Sequence, residues 1–291
     1  MTLGREAFAD DLSGRTVTTM AEGKAIETSF FKQYGPWAVV TGAASGIGRE
    51  IVLQLAELGL NLVLVDLQEA PLQDLASTLN APGTIEARPL VLDLRDKNAI
   101  GEIEGATGDL DVGLLVAAAG FGSSGFFIET NLEEEIDMIQ VNCLAVLQQA
   151  HSFGNRFAVR GKGGIIFMSS SLAFQGAPRS GNYAATKAYV QSLADALQLE
   201  LGPKGVDILA SAPGPVATQF AKKVRLKSSG MLDPVLVARE TLGALGKKKT
   251  IFPGWRTKIA SYSLNCFSRA ARTRIIGDKL QKMISDEIEA D

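Results

Sequence analysis

Tyr183 and Lys187 stand four residues apart in Asn182-Tyr183-Ala184-Ala185-Thr186-Lys187, at the head of a clear helical pattern. Four residues on a helix are one turn, so the two side chains share a face. That pairing has a chemical use. A phenol with an ordinary pKa of about 10 is a poor proton carrier at neutral pH, and a nearby ammonium favours the phenolate. Drawing the pKa down by ~3 units takes on the order of 4 kcal/mol of differential interaction, within reach of a close, partly desolvated pair. The phenol can then take a proton from an alcohol or return one to a carbonyl. Ser169-Ser170-Ser171, at the end of an apolar strand-like run upstream, supplies a hydroxyl to hold the substrate oxygen. A Tyr and a Lys at this spacing also arise by chance on many helices, so the reading needs support from elsewhere in the chain.

That support comes from Thr41-Gly42-Ala43-Ala44-Ser45-Gly46-Ile47-Gly48, which follows the apolar run Trp37-Ala38-Val39-Val40 and precedes the helical pattern Arg49 to Leu58. Strand, tight turn and helix in this order let backbone N–H groups approach a pyrophosphate, because glycine puts no Cβ in the way. The spacing is G-x-x-x-G-x-G rather than the commoner G-x-G-x-x-G. Gly42, Ser45, Gly46, Ile47 and Gly48 are the candidate cofactor contacts of a turn that, read alone, also serves as plain structure.

The elements that must position these residues alternate along the chain. Strand-like runs fall at Trp37–Val40, Asn61–Val65, Ala87–Leu92, Val112–Ala117, Gly164–Met168, Asp207–Ala210 and Thr250–Phe252. Helical runs fall between them at Gly46–Leu58, Pro71–Leu79, Lys97–Glu104, Leu132–Ala158, Asn182–Leu201 and Pro234–Leu245. The strands are near-continuous apolar runs, as when helices cover both faces of a parallel sheet. This predicts an α/β fold: a single doubly wound Rossmann-type domain over 34–252 with a seven-stranded parallel sheet and right-handed crossovers. Residues 1–33 read as an N-terminal extension and 253–291 as a basic helical C-terminal extension.

Ligands of such a sheet bind beyond the carboxyl ends of its strands, which singles out the strand ends. Asp66 ends the second run, where a carboxylate accepts hydrogen bonds from ribose hydroxyls and repels a 2′-phosphate, favouring NAD over NADP. No cation stands within the glycine turn, although Arg49 sits on the first turn of the helix after it. Asp93 and Leu94 follow the third run, with Asp93 in reach of an adenine edge. Ala117-Ala118-Ala119-Gly120 ends the fourth, small enough for a flat cofactor to approach closely.

Composition narrows the alternatives. The chain has 291 residues, 46% hydrophobic and 21% charged, with net charge −3, so nothing global points to nucleic acid. Charge is uneven: Lys247 to Lys282 holds ten Lys/Arg against Asp278 alone, a local +9 that leaves the remainder at −12. Cys143 and Cys266 make no disulfide framework and suit a reduced, cytoplasmic setting. His151 is the single histidine, which excludes a multi-histidine metal site; no metal is expected. No apolar run reaches the ~18 residues of a membrane span, and acids at Glu6, Asp10 and Asp11 make the N-terminus unlike a secretory signal.

Together these residues resemble the short-chain dehydrogenase/reductase family over about Tyr34 to Phe252. The motif residues are Thr41-Gly42-x-x-x-Gly46-Ile47-Gly48, Asn142 after Val141, Ser170, Tyr183, Lys187, and Pro213-Gly214-Pro215-Val216-Ala217-Thr218. The resemblance implies Tyr183 as general acid/base and Ser170 orienting the carbonyl or hydroxyl. It implies that Lys187 binds the nicotinamide ribose and lowers the tyrosine pKa, and that Asn142 supports a proton relay through water. Pro213, Gly214 and Val216 would lie along the nicotinamide, with Thr218 reaching its carboxamide. The family usually has Asn-Asn-Ala-Gly where this chain has Ala118 and Ala119 before Gly120, a loss of amides that would weaken hydrogen bonding at the sheet end. Tyr34 to Gly42 is similar to the entry segment of the hydroxysteroid and 3-ketoacyl reductase branch.

The expected function is hydride transfer between a nicotinamide, NAD or alternatively NADP, and a secondary alcohol or ketone. Alternatives are an NADPH-dependent ketoacyl or hydroxysteroid reductase and a non-catalytic dinucleotide-binding regulatory protein. The flap 217–232, with Lys222, Lys223, Arg225 and Lys227, suits an anionic substrate or a solvated loop. Phe121 to Ile128 suits an apolar pocket wall. The resemblance implies a homodimer or homotetramer through Leu132–Ala158 and Asn182–Leu201. Trp255, Ile259, Tyr262 and Cys266 fall at helical spacing among cations, a pattern for peripheral membrane contact, pocket closure or subunit packing.

Overall fold

The computed structural model describes residues 29–224 and 230–283. Its sheet comprises β1 (Trp37–Thr41), β2 (Asn61–Asp66), β3 (Ala87–Val91), β4 (Val112–Ala117), β5 (Gly163–Met168), β6 (Val206–Ser211) and β7 (Thr250–Ile251). The strand order is β3-β2-β1-β4-β5-β6-β7, and every neighbouring pair is parallel. The helices are α1 (Gly46–Glu57), α2 (Glu69–Asn80), α3 (Ala99–Thr107), α4 (Leu132–Ile139), α5 (Val146–Arg160), α6 (Gly181–Leu201), α7 (Gln219–Lys223), α8 (Pro234–Ala244), α9 (Trp255–Leu264) and α10 (Arg269–Met283). This is the seven-stranded, doubly wound architecture the apolar pattern predicts.

Both sheet faces are dry, which is why the strands do not alternate apolar with polar. In β1, Ala38 and Val40 pack with Ile51 and Leu55 of α1 and Leu72 of α2. Their neighbours Trp37 and Val39 join Ile103 of α3 and Phe153 and Phe157 of α5 on the other face. The chain winds outward from β1 through β2 and β3, then returns to place β4 on the other side of β1. The crossovers diverge there, and a crevice opens beyond the carboxyl ends of β1 and β4.

Helix boundaries move where local chemistry overrides periodicity. α2 starts two residues before Pro71, which leaves the proline in the first turn where its missing N–H breaks no helical bond. α3 starts at Ala99 rather than Lys97, because Asp96 Oδ1 accepts the Asn98 N–H at 2.9 Å in a turn. The single predicted helix Leu132–Ala158 is α4 and α5 joined by a π-helical segment, Gln140–Ala145, with Asn142 inside it. His151 is exposed on α5.

Both ends of the described chain carry helix. Residues 29–34 are helical and packed on the fold: Phe30 meets Tyr34 edge to face at 4.7 Å, and buried Tyr34 donates its hydroxyl to Asp207 Oδ2 at 2.8 Å. The remainder of the predicted extension, with Glu6, Asp10 and Asp11, lies outside the described residues. Beyond β7, α9 stops at Leu264, so Cys266 falls in the turn before α10 rather than on the predicted helical row. Among the described residues, no helix is long and apolar enough to cross a membrane.

Candidate active site

The turn after β1 brings chain segments closer than side chains allow. Gly42 has φ 69°, and a Cβ there would lie 2.8 Å from the Ala119 backbone; one on Gly48 would lie 2.0 Å from the Gly42 carbonyl oxygen. The glycines therefore let the start of α1 close against β1 and leave its amides facing the crevice. Thr41 Oγ1 accepts the Ala119 N–H at 3.4 Å, so a threonine and a main-chain amide tie the sheet ends where the usual asparagines are missing.

A cleft of about 610 Å³ runs from this turn to the end of β5. Gly42, Ser45, Gly46, Ile47, Gly48, Asp66, Asp93, Leu94, Ala119, Gly120, Pro213, Gly214, Val216 and Thr218 all line it, as do Ser170, Tyr183 and Lys187. At one end, Asp66 accepts the Ala44 N–H on Oδ2 and the Gln68 N–H on Oδ1, each at 2.9 Å. Two backbone amides thus fix that carboxylate beside the glycine turn. Asp93 is less available than its position suggests. Arg95 grips both of its oxygens, holding its carboxyl below the usual range, and reaches Asp137 as well.

At the other end, three serines divide their work. Ser169 Oγ turns to the Lys187 carbonyl at 3.4 Å. Ser171 opens a short 3₁₀ turn, its N–H on the Pro213 carbonyl at 2.9 Å. Ser170 Oγ accepts the Leu172 N–H at 3.2 Å and is the serine that acts on the Tyr183 phenol, favouring its ionised form. Lys187 Nζ donates to the Met168 carbonyl at 2.8 Å and lies 5.8 Å from the Tyr183 ring centre.

The tyrosine's acidity departs from expectation. Burial pushes Tyr183 up to about 12, with only the Ser170 hydrogen bond pulling the other way. Desolvation of a buried phenolate thus acts in the opposite direction to the lowering expected from the Tyr183–Lys187 spacing. The same burial pushes Lys187 down to about 8. At neutral pH these shifts favour the protonated Tyr183 phenol, which would suit it to donate a proton with the Lys187 ammonium one helical turn away to stabilise the phenolate. Ketone reduction is accordingly expected to run level below about pH 8 and to fall above it as the amine loses its charge. Lys187→Arg, which stays charged, should flatten that fall in a pH–rate profile; an unmoved fall would remove Lys187 from the cause.

Asn142 does not line the cleft. Fully buried, it donates to the Phe121 carbonyl (2.9 Å) and Thr186 Oγ1 (3.1 Å) and accepts the Phe121 N–H (3.1 Å). Both side-chain N–H groups are spent on joining the β4 exit to α6, so a relay through this side chain's donors is not what the geometry offers. Phe121 lines the cleft, but Phe126, Phe127 and Ile128 do not form the predicted wall. They are 55%, 72% and 92% exposed, carried outward by a 3₁₀ turn at Phe127–Glu129. Lys222 and Lys223 lie on α7, with Lys223 Nζ 4.7 Å over the Phe121 ring; Arg225 and Lys227 lie outside the described residues.

Several contributors carry little sequence signal. Phe220 of α7 rests against the Tyr183 ring, centres 5.3 Å apart, with Gly122 admitting the contact because a Cβ there would meet both rings. Leu280 of α10 closes the wall from near the end of the chain. Glu135 is buried, accepting Ser123 Oγ at 2.6 Å and Asn182 Nδ2 at 2.7 Å, and so braces the residue before Tyr183. The flap's base is pinned by Leu232, whose N–H and C=O bond Pro215 and Ala217.

Residues 36–229 match the family model described as short chain dehydrogenase. The chain is a short-chain dehydrogenase. It is 30% identical to the very-long-chain 3-oxoacyl-CoA reductase of Phaeosphaeria nodorum, over 82% of this chain and 74% of that protein. A solved 7β-hydroxysteroid dehydrogenase superposes with a TM-score of 0.79 at 25% identity, covering 85% of this chain and 98% of that one. A short-chain dehydrogenase from Sphingobium yanoikuyae in complex with NADPH gives a TM-score of 0.73 at 26% identity, covering 88% and 99%. This short-chain dehydrogenase is an NAD(P)-dependent oxidoreductase acting between nicotinamide and an alcohol or carbonyl carbon, near the hydroxysteroid and ketoacyl branch. Its glycine turn, closed so tightly that a Cβ on Gly48 would lie 2.0 Å from the Gly42 carbonyl oxygen, fits a dinucleotide pyrophosphate.

Proposed function

We propose that this chain interconverts a secondary alcohol and a ketone on an apolar substrate, with NAD(H) preferred over NADP(H). The carrying observation is the Ser170–Tyr183–Lys187 cluster buried at one end of the cleft, with the glycine cradle at the other. When bound, the nicotinamide supplies or accepts the hydride. Ser170 and Tyr183 hold the substrate oxygen with their hydroxyls, and Tyr183 Oη gives it a proton in the reductive direction. Lys187, anchored on the Met168 carbonyl, holds positive charge beside the nascent phenolate. Asn142 acts as a positioning residue, fixing Phe121 and Thr186 around the cluster. Phe121, Leu172, Val216, Phe220 and Leu280 give the substrate end its apolar lining.

The cofactor preference rests on Asp66. Its carboxylate is held beside the glycine turn, and the cations near it are already committed: Arg49 to Glu50 at 3.0 Å, Arg95 to Asp93 and Asp137. A 2′-phosphate would meet fixed negative charge, whereas ribose hydroxyls would donate to it. A charged hydrogen bond of this kind is worth ~1.5–3 kcal/mol. Asp66→Ser is therefore expected to lower the ratio of kcat/KM for NAD over NADP by ~10–100-fold. An unchanged ratio, measured with both cofactors on one ketone, would displace Asp66 from the ribose. The NADPH-linked reading draws on the Sphingobium yanoikuyae complex, and a higher parent kcat/KM with NADPH than with NADH would favour it.

Self-association is proposed through α4, the π-helical segment after it, α5 and α6, whose Ile136, Ile139, Leu144, Leu147 and Tyr189 are exposed. A homodimer or homotetramer would cover them.

A further inference from the structure

α9 and α10 lie beyond the residues matched by the family model, and they have two unlike faces. The inner face belongs to the cleft. Gly277 packs so closely on Pro178 that a Cβ would lie 2.9 Å from its ring, and Thr257 of α9 packs as closely over Gly214. Ile276 and Leu280 are buried with Ala177 and with Ala184, the residue after Tyr183. The pair is thus a rigid wall over the substrate end.

The outer face is open apart from Tyr262, whose ring meets Phe252 edge to face at 5.9 Å. Trp255, Ile259 and Tyr262 recur at i, i+4 and i+7 on α9 and are 68%, 60% and 57% exposed, with Phe267 just beyond at 50%. Single exposed apolar residues are ordinary, but a row of large ones is a contact surface. From Arg256 to Lys282 stand seven Lys/Arg against Asp278 alone, a net +6, which leaves −9 for the rest of the chain. Among the described residues, none of those seven cations is ion-paired.

We propose that this outer face docks on the surface of an anionic bilayer, laying the substrate end of the cleft against the lipid. Trp and Tyr suit the headgroup level, where one side of each ring is apolar and the other wet. Lys and Arg stems cover apolar surface while their charges reach anionic lipid. The net +6 of this stretch, which precedes the acids Asp286, Glu287, Glu289 and Asp291 in sequence, draws the face toward negative charge. A second copy is the poorer occupant: a two-fold contact would set +6 against +6. Self-association also has an uncharged alternative in the exposed Ile136, Ile139, Leu144 and Leu147. With no described spanning helix, attachment is superficial and reversible.

The test is flotation of the full chain with vesicles of phosphatidylcholine alone or mixed with phosphatidylserine, at low and high salt. Binding to the mixed vesicles only, weakened by salt, is expected. Near-surface cations contribute enough that Lys258→Gln with Arg274→Gln should lower partitioning ~20-fold. Ile259→Glu, at an exposed position that leaves the fold intact by circular dichroism, should abolish it. Trp255 fluorescence should shift to the blue on mixed vesicles, since Trp37 is already buried. Absence of binding to mixed vesicles, or binding that Ile259→Glu leaves unchanged, overturns the proposal. So does a lipid-free oligomer that Ile259→Glu dissociates in sedimentation velocity, which would give the face to a second copy. None of these readouts uses turnover, so they stand or fall apart from the assigned reaction.

Discussion

Tyr183→Phe is expected to lower kcat by ~10²–10⁴-fold, the share general acid–base catalysis commonly supplies, while dinucleotide affinity stays within about twofold. The substitution removes one oxygen from a ring already packed against Phe220, so the volume and the aromatic contact survive. What goes is the proton that burial keeps on the phenol up to about 12. Lys187 keeps its Met168 anchor at 2.8 Å, so the cleft around the missing hydroxyl stays in shape. Ketone-dependent oxidation of NADH, followed beside NADH fluorescence titration, measures both quantities. A variant near the parent rate would take Tyr183 out of the reaction; a variant that also loses NADH would make it a structural residue.

Gly48→Ala should do the opposite, destroying cofactor binding by damage to the scaffold. The added methyl would lie 2.0 Å from the Gly42 carbonyl oxygen, and that oxygen is backbone, unable to swing aside as a side chain would. α1 must lift from the turn, withdrawing its N-terminal amides from the pyrophosphate. Overpacking of this kind costs ~1–3 kcal/mol, and the cofactor affinity should fall ~100-fold or more as charged hydrogen bonds worth ~1.5–3 kcal/mol each are lost. The control is Gly101→Ala on α3, where nothing stands within 4 Å of the new methyl. There the same chemical change should raise stability by ~0.5–1 kcal/mol through helix propensity. Thermal unfolding and NADH titration of the two variants check both signs, and equal melting temperatures would refute the steric argument.

What the chain announces in its letters is whatever depends on neighbours along the backbone. Gly42, Gly46 and Gly48 mark a turn because φ and close approach restrict the residue type, and Tyr183 with Lys187 mark a face because four residues make a turn. Dry strands such as Leu62–Val65 reveal a covered parallel sheet. Contacts across the fold leave no such trace. Phe220 is one aromatic in a basic flap until α7 lays it on Tyr183, and Leu280 is one leucine in a charged helix until α10 reaches the cleft. Glu135 looks like Glu133 and Glu134 beside it, and only burial distinguishes the one that braces Asn182. The π segment is hidden because it adds no residue type a helix would lack. Phe126, Phe127 and Ile128 mislead for the opposite reason: their composition suits a pocket, but the 3₁₀ turn aims them away from it.

Because all seven strands run the same way, every group assigned to the reaction gathers at one rim of the sheet, and the other rim is left without chemical duties. The connection at 81–86, which enters β3 from that idle rim, is almost wholly exposed, and a side chain added at Gly83 within it would meet nothing within 4 Å. A linker, a reporter domain or a bead attached there would face away from the working mouth, so the protein can be immobilised by its back and still receive substrate from the front.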